Sequence, residues 1–489
     1  MINFKNKIKV LKKKELRFKK WAKKRKVLLF HVAALILLVI IVLAIRLSVF
    51  QILFPEHKFN KMLDFSKEDK ILILAPHPDD EAIAAAGIIQ HALKAGAKVK
   101  IVVLTNGDAN QEAFFIYEKR PLIFQRQFIN AGELRYKESI NGMEYLGLSK
   151  DDLIYLGYPD FGTLNILLEH WGDVKPYRSP ITRLSEVPYH ECFSPGSPYT
   201  GESILKDLDK IILDFKPTRI FVSSPVDLNK DHRALYLFLK ISLWNLEGKI
   251  SEPEVFSYIV HSYSWPLPKG NYPNLQMTIP PKLTGKEISW YSLDLTNDEV
   301  NTKYKAILLY KSQIEYKPAF LISFARKNEL FGNFVNINLN EQPPVDLNSI
   351  KWQEVELMQN QNLINENTNF EFLEYALMER NLYIKLTLKR TVDEDLGITL
   401  HLIGFNKNKN FADMPKIHIA VGLTGMKIID KKQEIFIKDA KLSYSGKSLI
   451  MKIPVSALGD PDFILSNAET RAKDLPYDAT AWRVIEINK

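Results

Sequence analysis

Cysteine is nearly absent from this chain: Cys192 is the only one in 489 residues. A single thiol excludes an intrachain disulfide framework and any zinc module built from several cysteines. It leaves the compartment open, because many exported proteins carry no disulfide. Internal repeats and low-complexity stretches are missing as well. Hydrophobic residues make up 46% and charged residues 25%, which excludes wholesale disorder, collagen and a coiled coil. At about 150 residues per domain, the length predicts several units rather than one.

Acidic residues are scarce in one place. Met1–Lys26 holds thirteen of the 66 basic residues and one of the 57 acidic ones, Glu15, leaving 53 basic against 56 acidic residues in the remainder. The net charge of +9 and the pI near 9.1 therefore belong to the tail. Directly after it, Val27–Ile45 is an apolar run of nineteen residues whose only strongly polar member is His31. As a helix this run spans about 28 Å, close to a bilayer core. A cleavable signal has a shorter apolar core and a small-x-small site. Here the run continues into Arg46-Leu47-Ser48-Val49-Phe50, so an uncleaved anchor over 27–50 is expected. The basic block precedes the anchor, which predicts a cytoplasmic N-terminus and an extracytoplasmic body after Phe54. The tail has the bilayer as its partner, including anionic lipid heads. Nucleic acid is not expected as a partner, and no protein partner is predictable.

Lys70–Leu74, Lys98–Leu104, Leu153–Leu156, Arg219–Ser223 and Val255–Val260 read as strands, while Glu81–Ala95, Phe124–Leu146 and Asp231–Leu246 read as helices. This alternation predicts an α/β, mostly parallel sheet with flanking helices. A capping box, Thr296-Asn297-Asp298-Glu299, opens a further helix expected to run to Gln313. Beyond Phe334 the pattern changes. Leu382, Ile384, Leu386 and Leu388 alternate with Tyr383, Lys385, Thr387 and Lys389, a strand period. Ile398–Phe405, Lys416–Leu423, Ser448–Val455 and Trp482–Ile487 are similar, predicting an all-β sandwich over 345–489. The boundary falls in Asn340–Asn348, with Pro343 and Pro344.

The first strand-to-helix junction reads Ala75-Pro76-His77-Pro78-Asp79-Asp80-Glu81, three carboxylates and an imidazole within five residues. Ligands of open α/β sheets bind where strands end. A helix cap explains one acid there, not three with a histidine. A hydrolytic metal site needs about three protein ligands and an open position. His232 sits at another such junction, after Arg219–Ser223, in Asp227-Leu228-Asn229-Lys230-Asp231-His232. Two histidines and a carboxylate also suit non-haem iron, but a carboxylate poised to activate water favours hydrolysis.

These motifs resemble those of the PIG-L/LmbE-like N-acetylglucosaminyl deacetylases, with A-H-P-D-D-E after the first strand and a later H-x-D-H-x-A. Pro76 stands where Ala is usual, and Asn229 replaces the first histidine of the second motif. Thr105-Asn106-Gly107-Asp108, Arg135-x-x-Glu138, Leu156-Gly157-Tyr158-Pro159-Asp160, Val260-His261 with Trp265-Pro266, and Tyr310-Lys311-Ser312-Gln313 match other segments, over residues 70–333. The resemblance implies a Rossmann-like domain over 66–335. It implies His77, Asp80 and His232 as metal ligands, with Zn2+ the first expectation and Fe2+ or Co2+ able to substitute. Asp79 is the implied general base, and Asp231 orients a histidine. Asn229 cannot supply a proton, so His261, or Asp79 acting in both steps, is the implied acid. Arg135 and Asp160 would grip sugar hydroxyls or phosphate, with Asn229 beside them.

Together these readings predict a membrane-anchored, metal-dependent deacetylase of an N-acetylglucosamine-type sugar in an extracytoplasmic saccharide or glycolipid. The alternative is a non-catalytic glycan-binding protein with a degenerate site. The β-region resembles carbohydrate-binding sandwiches by strand pattern only. Trp352 and Trp482 are candidates either for stacking on sugar or for the core.

Overall fold

The computed structural model describes residues 2–53, 57–121, 124–358, 370–391, 396–422, 425–472 and 475–488. The chain divides into two compact units, Met1–Lys58 and Phe59–Lys489. The first is a single helix, Ile2–Leu53. Over Lys7–Val42 it is long and apolar enough to cross a membrane, and apolar side chains such as Phe30 and Leu35 are exposed along it. Phe54, from which the extracytoplasmic body was counted, lies outside the described residues.

In the second unit, five strands lie side by side in the order Glu254–Tyr258, Arg219–Ser223, Lys70–Ala75, Lys98–Thr105 and Leu153–Tyr158, all parallel. Ile71, Leu72, Ile73 and Leu74 are fully buried, as a strand covered on both faces requires. The strand order reverses between Lys70–Ala75 and Arg219–Ser223, and the C-terminal ends of those two neighbours lead to His77 and His232. A crevice at such a reversal is the usual ligand site of an open α/β sheet.

The sheet is mixed rather than parallel throughout. Asn328–Phe334 runs antiparallel to both Glu254–Tyr258 and Ile288–Asp294, and Asn60–Lys61 completes eight strands. Neither Ile288–Asp294 nor Asn328–Phe334 was expected from the sequence. Helix Gly201–Phe215 was also missed, although its buried Ile204, Leu208, Ile211, Ile212 and Phe215 carry a helical period. The capping box at Thr296 forms as read, but its helix ends at Ile307 and a short helix restarts at Lys311. The restart has a local cause: Ser312 gives its N–H and hydroxyl to the Glu138 carboxylate, at 2.8 and 2.7 Å.

Among the described residues, 337–488 contribute a large, mainly antiparallel sheet region of thirteen strands. Its own apolar cluster includes Leu373, Leu386, Leu400, Ile419, Met451 and Ile464. Another face of it joins the core of the α/β part, where Trp171 meets Phe411 and Trp244 stacks on Phe463. Trp482 is buried in this joint and Trp352 is half-buried beneath the Lys385 ammonium.

Candidate metal centre and catalytic cavity

The loop after Lys70–Ala75 folds back on itself. The His77 N–H donates to Asp80 Oδ2 (3.0 Å) and the Asp79 N–H to Glu81 Oε2 (3.0 Å). Helix Asp80–Lys94 starts here, with Asp79 in the cap position but making no side-chain cap bond. Capping therefore does not account for Asp79. Its backbone sits at φ +126°, a strained conformation for a residue with a side chain, and such strain concentrates at functional sites.

Asp80 is the meeting point. Its Oδ2 lies 3.3 Å from His77 Nδ1 and 3.2 Å from His232 Nε2. Neither ring nitrogen of His232 makes a directed hydrogen bond, although both are buried. Atoms that approach this closely without bonding one another have the arrangement of ligands aimed at a common point. Donors about 2.0–2.1 Å from one tetrahedral ion stand roughly 3.3 Å apart. His77, Asp80 and His232 thus fit a divalent ion in donor chemistry, with their donor atoms all within 4.8 Å of one another and the two contacts to Asp80 near the tetrahedral spacing.

A ring of carboxylates holds the imidazoles. Asp227 Oδ2 lies 3.3 Å from His232 Nδ1 and accepts the N–H groups of Val260 and His261, at 3.0 and 2.9 Å. Asp231 Oδ2 lies 3.4 Å from His77 Nε2, and its two oxygens accept the N–H groups of Phe161 and Thr163. Asp160 Oδ1 is 3.2 Å from the same His77 nitrogen. Burial disfavours charged imidazoles, yet these carboxylates outweigh it. His77 is raised well above its ordinary range and His232 to about 9. Burial opposes charge on Asp80 too, but His232 and His77 hold it well below the usual carboxylate range. The field of the site favours positive charge where the three donors meet.

Asp79 is in the opposite situation. Burial, with Asp80 and Glu81 adding to it and Arg135 opposing, pushes it up to about 7. Arg135 Nη2 lies 3.2 Å from Asp79 Oδ2 and donates to the Pro78 carbonyl, while Nη1 donates to the Gly107 carbonyl at 3.0 Å. Gly107 is required there: its φ is +63°, and a Cβ would sit 2.0 Å from Arg135 Nη1. Asn229 caps helix Lys230–Asn245, accepting the Asp231 N–H at 2.8 Å. The His261 ring is 4.8 Å from that of His232 and stacks on Phe320, and burial lowers it to about 4.

His77, Asp79, Arg135, Asp160, Asn229 and His261 line one cavity of about 1080 Å³. All nine residues singled out in the sequence thus gather within this neighbourhood. Asp80, His232 and Asp231 are almost wholly buried, and Asp80 and Asp231 lie against the His77 ring that lines the cavity. Sequence reasoning missed Asp227, although it lies two residues before Asn229 in the same segment. It also gave no role to Glu81, which accepts the Tyr310 hydroxyl at 2.7 Å and that of Ser139. Nor did it assign Asp108, which accepts the Tyr189 hydroxyl at 2.7 Å and which burial pushes up to about 7.

Residues 72–241 match the family model described as PIG-L, GlcNAc-PI de-N-acetylase. Comparison with curated proteins finds no match. Similar solved structures include an N,N'-diacetylchitobiose deacetylase from Pyrococcus horikoshii (21% identity, 54% of this chain and 82% of that one, TM-score 0.33). A deacetylase of teicoplanin biosynthesis shares 17% identity, covering 54% of this chain and 98% of that one, with TM-score 0.36. The hydratase GalB from Pseudomonas putida shares 16% identity over 55% of this chain and 98% of that one, with TM-score 0.32. The part of the chain that is similar to the PIG-L family, residues 72–241, carries His77, Asp79, Asp80, Asp231 and His232.

Proposed function

We propose that the protein is a metal-dependent deacetylase that hydrolyses the N-acetyl group of an N-acetylglucosamine-type sugar, giving acetate and an amine. The observation that carries this reading is the convergence of His77 Nδ1 and His232 Nε2 on Asp80 Oδ2, with His77 and Asp79 lining one cavity. His77, Asp80 and His232 would hold the ion, with Zn2+ the first choice and Fe2+ or Co2+ able to substitute. When bound, it supplies a Lewis acid at the scissile carbonyl. Asp79 takes the proton of the attacking water as general base, and Arg135 fixes its carboxylate from one side. Asn229 offers an amide and no transferable proton. Asp79 therefore also returns the proton to the departing nitrogen, and His261 contributes a neutral imidazole at the cavity wall. Asp231 and Asp227 orient the two histidines. Arg135 is largely committed to Asp79 and to backbone carbonyls, so Asp160 and Asn229 are the better candidates for contact with sugar hydroxyls.

In this reading the N-terminal helix anchors the enzyme, with its basic tail in the cytoplasm and residues 66–335 working outside it on a cell-envelope glycan or glycolipid. The Rossmann-like domain would be followed by a β-sandwich over 345–489. The test is acetate release from a panel of N-acetylhexosamine glycosides by the full chain in detergent, with metal analysis of the same sample. Turnover that depends on Zn2+ or another divalent ion and drops about 10²–10⁴-fold in Asp79→Asn is expected. Glycan binding with no turnover on any acetylated saccharide would favour the non-catalytic alternative instead.

A further inference from the structure

The segment Pro159–Gly162 is a tight turn, closed by the Gly162 N–H on the Pro159 carbonyl at 3.1 Å. Its third residue has positive φ, a place that glycine or asparagine ordinarily takes. Here it is Phe161, at φ +60°. A bulky residue in that conformation is an outlier that the surroundings must enforce. They do so through the site itself: Asp231, which touches His77, accepts the Phe161 N–H at 2.6 Å. The ring gains no burial in return. Phe161 is 56% exposed, and it lines the cavity that holds His77, Asp79 and Asp160. An aromatic ring held in a strained turn, anchored to the orienting carboxylate and left facing the cavity is placed for a ligand rather than for packing. Ile181, Pro318 and Phe320 line the same cavity, together with polar side chains such as Gln313 and Tyr316. The cavity, about 1080 Å³, lies at the upper end of the range for drug-sized ligands, so it has room for more than one sugar ring.

We infer that Phe161 is a stacking platform for a ring adjoining the acetylated sugar, so that a substrate with a second ring is preferred over a single sugar unit. This rests on the deacetylase reading above. Asp160 would hold the acetylated sugar next to the catalytic groups, and Phe161, one residue on, would receive the apolar face of the next ring.

The experiment compares kcat/KM for methyl N-acetylglucosaminide and for the β-1,4-linked N-acetylglucosamine disaccharide, using the full chain in detergent. The variants are Phe161→Ala and Phe161→Trp, with thermal scans to verify folding. The expected result is a disaccharide preference of about tenfold that falls to near unity in Phe161→Ala and persists in Phe161→Trp. An equal loss on both substrates, or none on either, overturns the inference. If the native chain releases acetate from neither, the deacetylase reading fails separately. Disaccharide binding by calorimetry then decides the platform. Affinity lowered about tenfold in Phe161→Ala supports it, and unchanged or undetectable binding overturns it.

Discussion

A buried charge pair, Lys303 with Glu329, ties helix Asp80–Lys94 to strand Asn328–Phe334 and to helix Asn297–Ile307. Lys303 and Glu329 are both about 1% exposed at their side chains, with Nζ 2.6 Å from Oε1. The same carboxylate accepts the N–H groups of Gly87 and Ile88, at 2.7 and 3.0 Å, in the middle of helix Asp80–Lys94. Gly87 permits this approach, since a Cβ there would lie 2.8 Å from Glu329 Cδ. Lys303→Met keeps the length of the side chain and removes its charge. Glu329 is then left buried and short of its cation, and breaking a buried pair in this way costs about 3–5 kcal/mol. Unfolding entropy of about 2 cal/mol/K per residue, over roughly 430 residues of the compact unit, amounts to about 0.9 kcal/mol/K. The expected loss of Tm is therefore about 3–6 °C, read by calorimetry on the full chain. Adding Glu329→Gln in the Lys303→Met background neutralises the orphaned charge and restores about 2 kcal/mol or more. A Tm shift under 1 °C in Lys303→Met, or a further fall in the double variant, would refute the reasoning.

Three other outcomes follow from the site and its surroundings. Removing divalent ions with a chelator lowers Tm as well as activity, because an ion that binds only the folded state stabilises it. Added Zn2+ restores both, and a chelated sample with unchanged Tm argues against His77, Asp80 and His232 as ligands. Asp227→Asn weakens metal affinity about 10–100-fold, measured by competition with a chromophoric chelator, while the fold is retained; native affinity would leave Asp227 without its orienting role. His401 is held down to about 4, first by burial and then by His418, Arg471 and Arg233 against the pull of Glu469. Its unfolded value is about 6.5, so the unfolded chain binds more protons between pH 4 and 6.5 and stability falls as pH drops through that window, by about 3 kcal/mol for this group. His401→Gln flattens that part of the Tm–pH curve, and an unchanged slope between pH 4.5 and 7 would show that His401 does not cause it.

The residues that were legible in the sequence share one property: their chemistry is concentrated locally. His77, Asp79, Asp80 and Glu81 stand within five positions after an apolar run, so strand, junction and ligand set can be read together. His232 was legible for the same reason, at the end of Arg219–Ser223. What escaped was whatever depends on distant pairing. Asp227 looks like a loop aspartate until folding brings Val260 and His261 to its carboxylate. Asp160 is expected at the site as a grip for sugar hydroxyls or phosphate, but only the folded sheet shows its approach to within 3.2 Å of His77, 83 positions earlier. The antiparallel strands Ile288–Asp294 and Asn328–Phe334 were missed because their pairing crosses some forty residues of chain and neither shows a long apolar run. The C-terminal region presents the same problem at larger scale. Its strand alternation is plain, but alternation does not reveal what the outer face covers. Here Trp482 gives its N–H to the Pro225 carbonyl, and Arg483 reaches Glu287. Pro225 opens the segment that carries Asp227, Asn229 and His232. A region that sequence pattern presents as an appended module thus grips the loop from which one of the proposed ligands descends. Trp482→Ala, which opens a cavity at that joint, should loosen the His232 segment and weaken metal affinity, and a chelator competition that finds native affinity would show the region to be separable from the site.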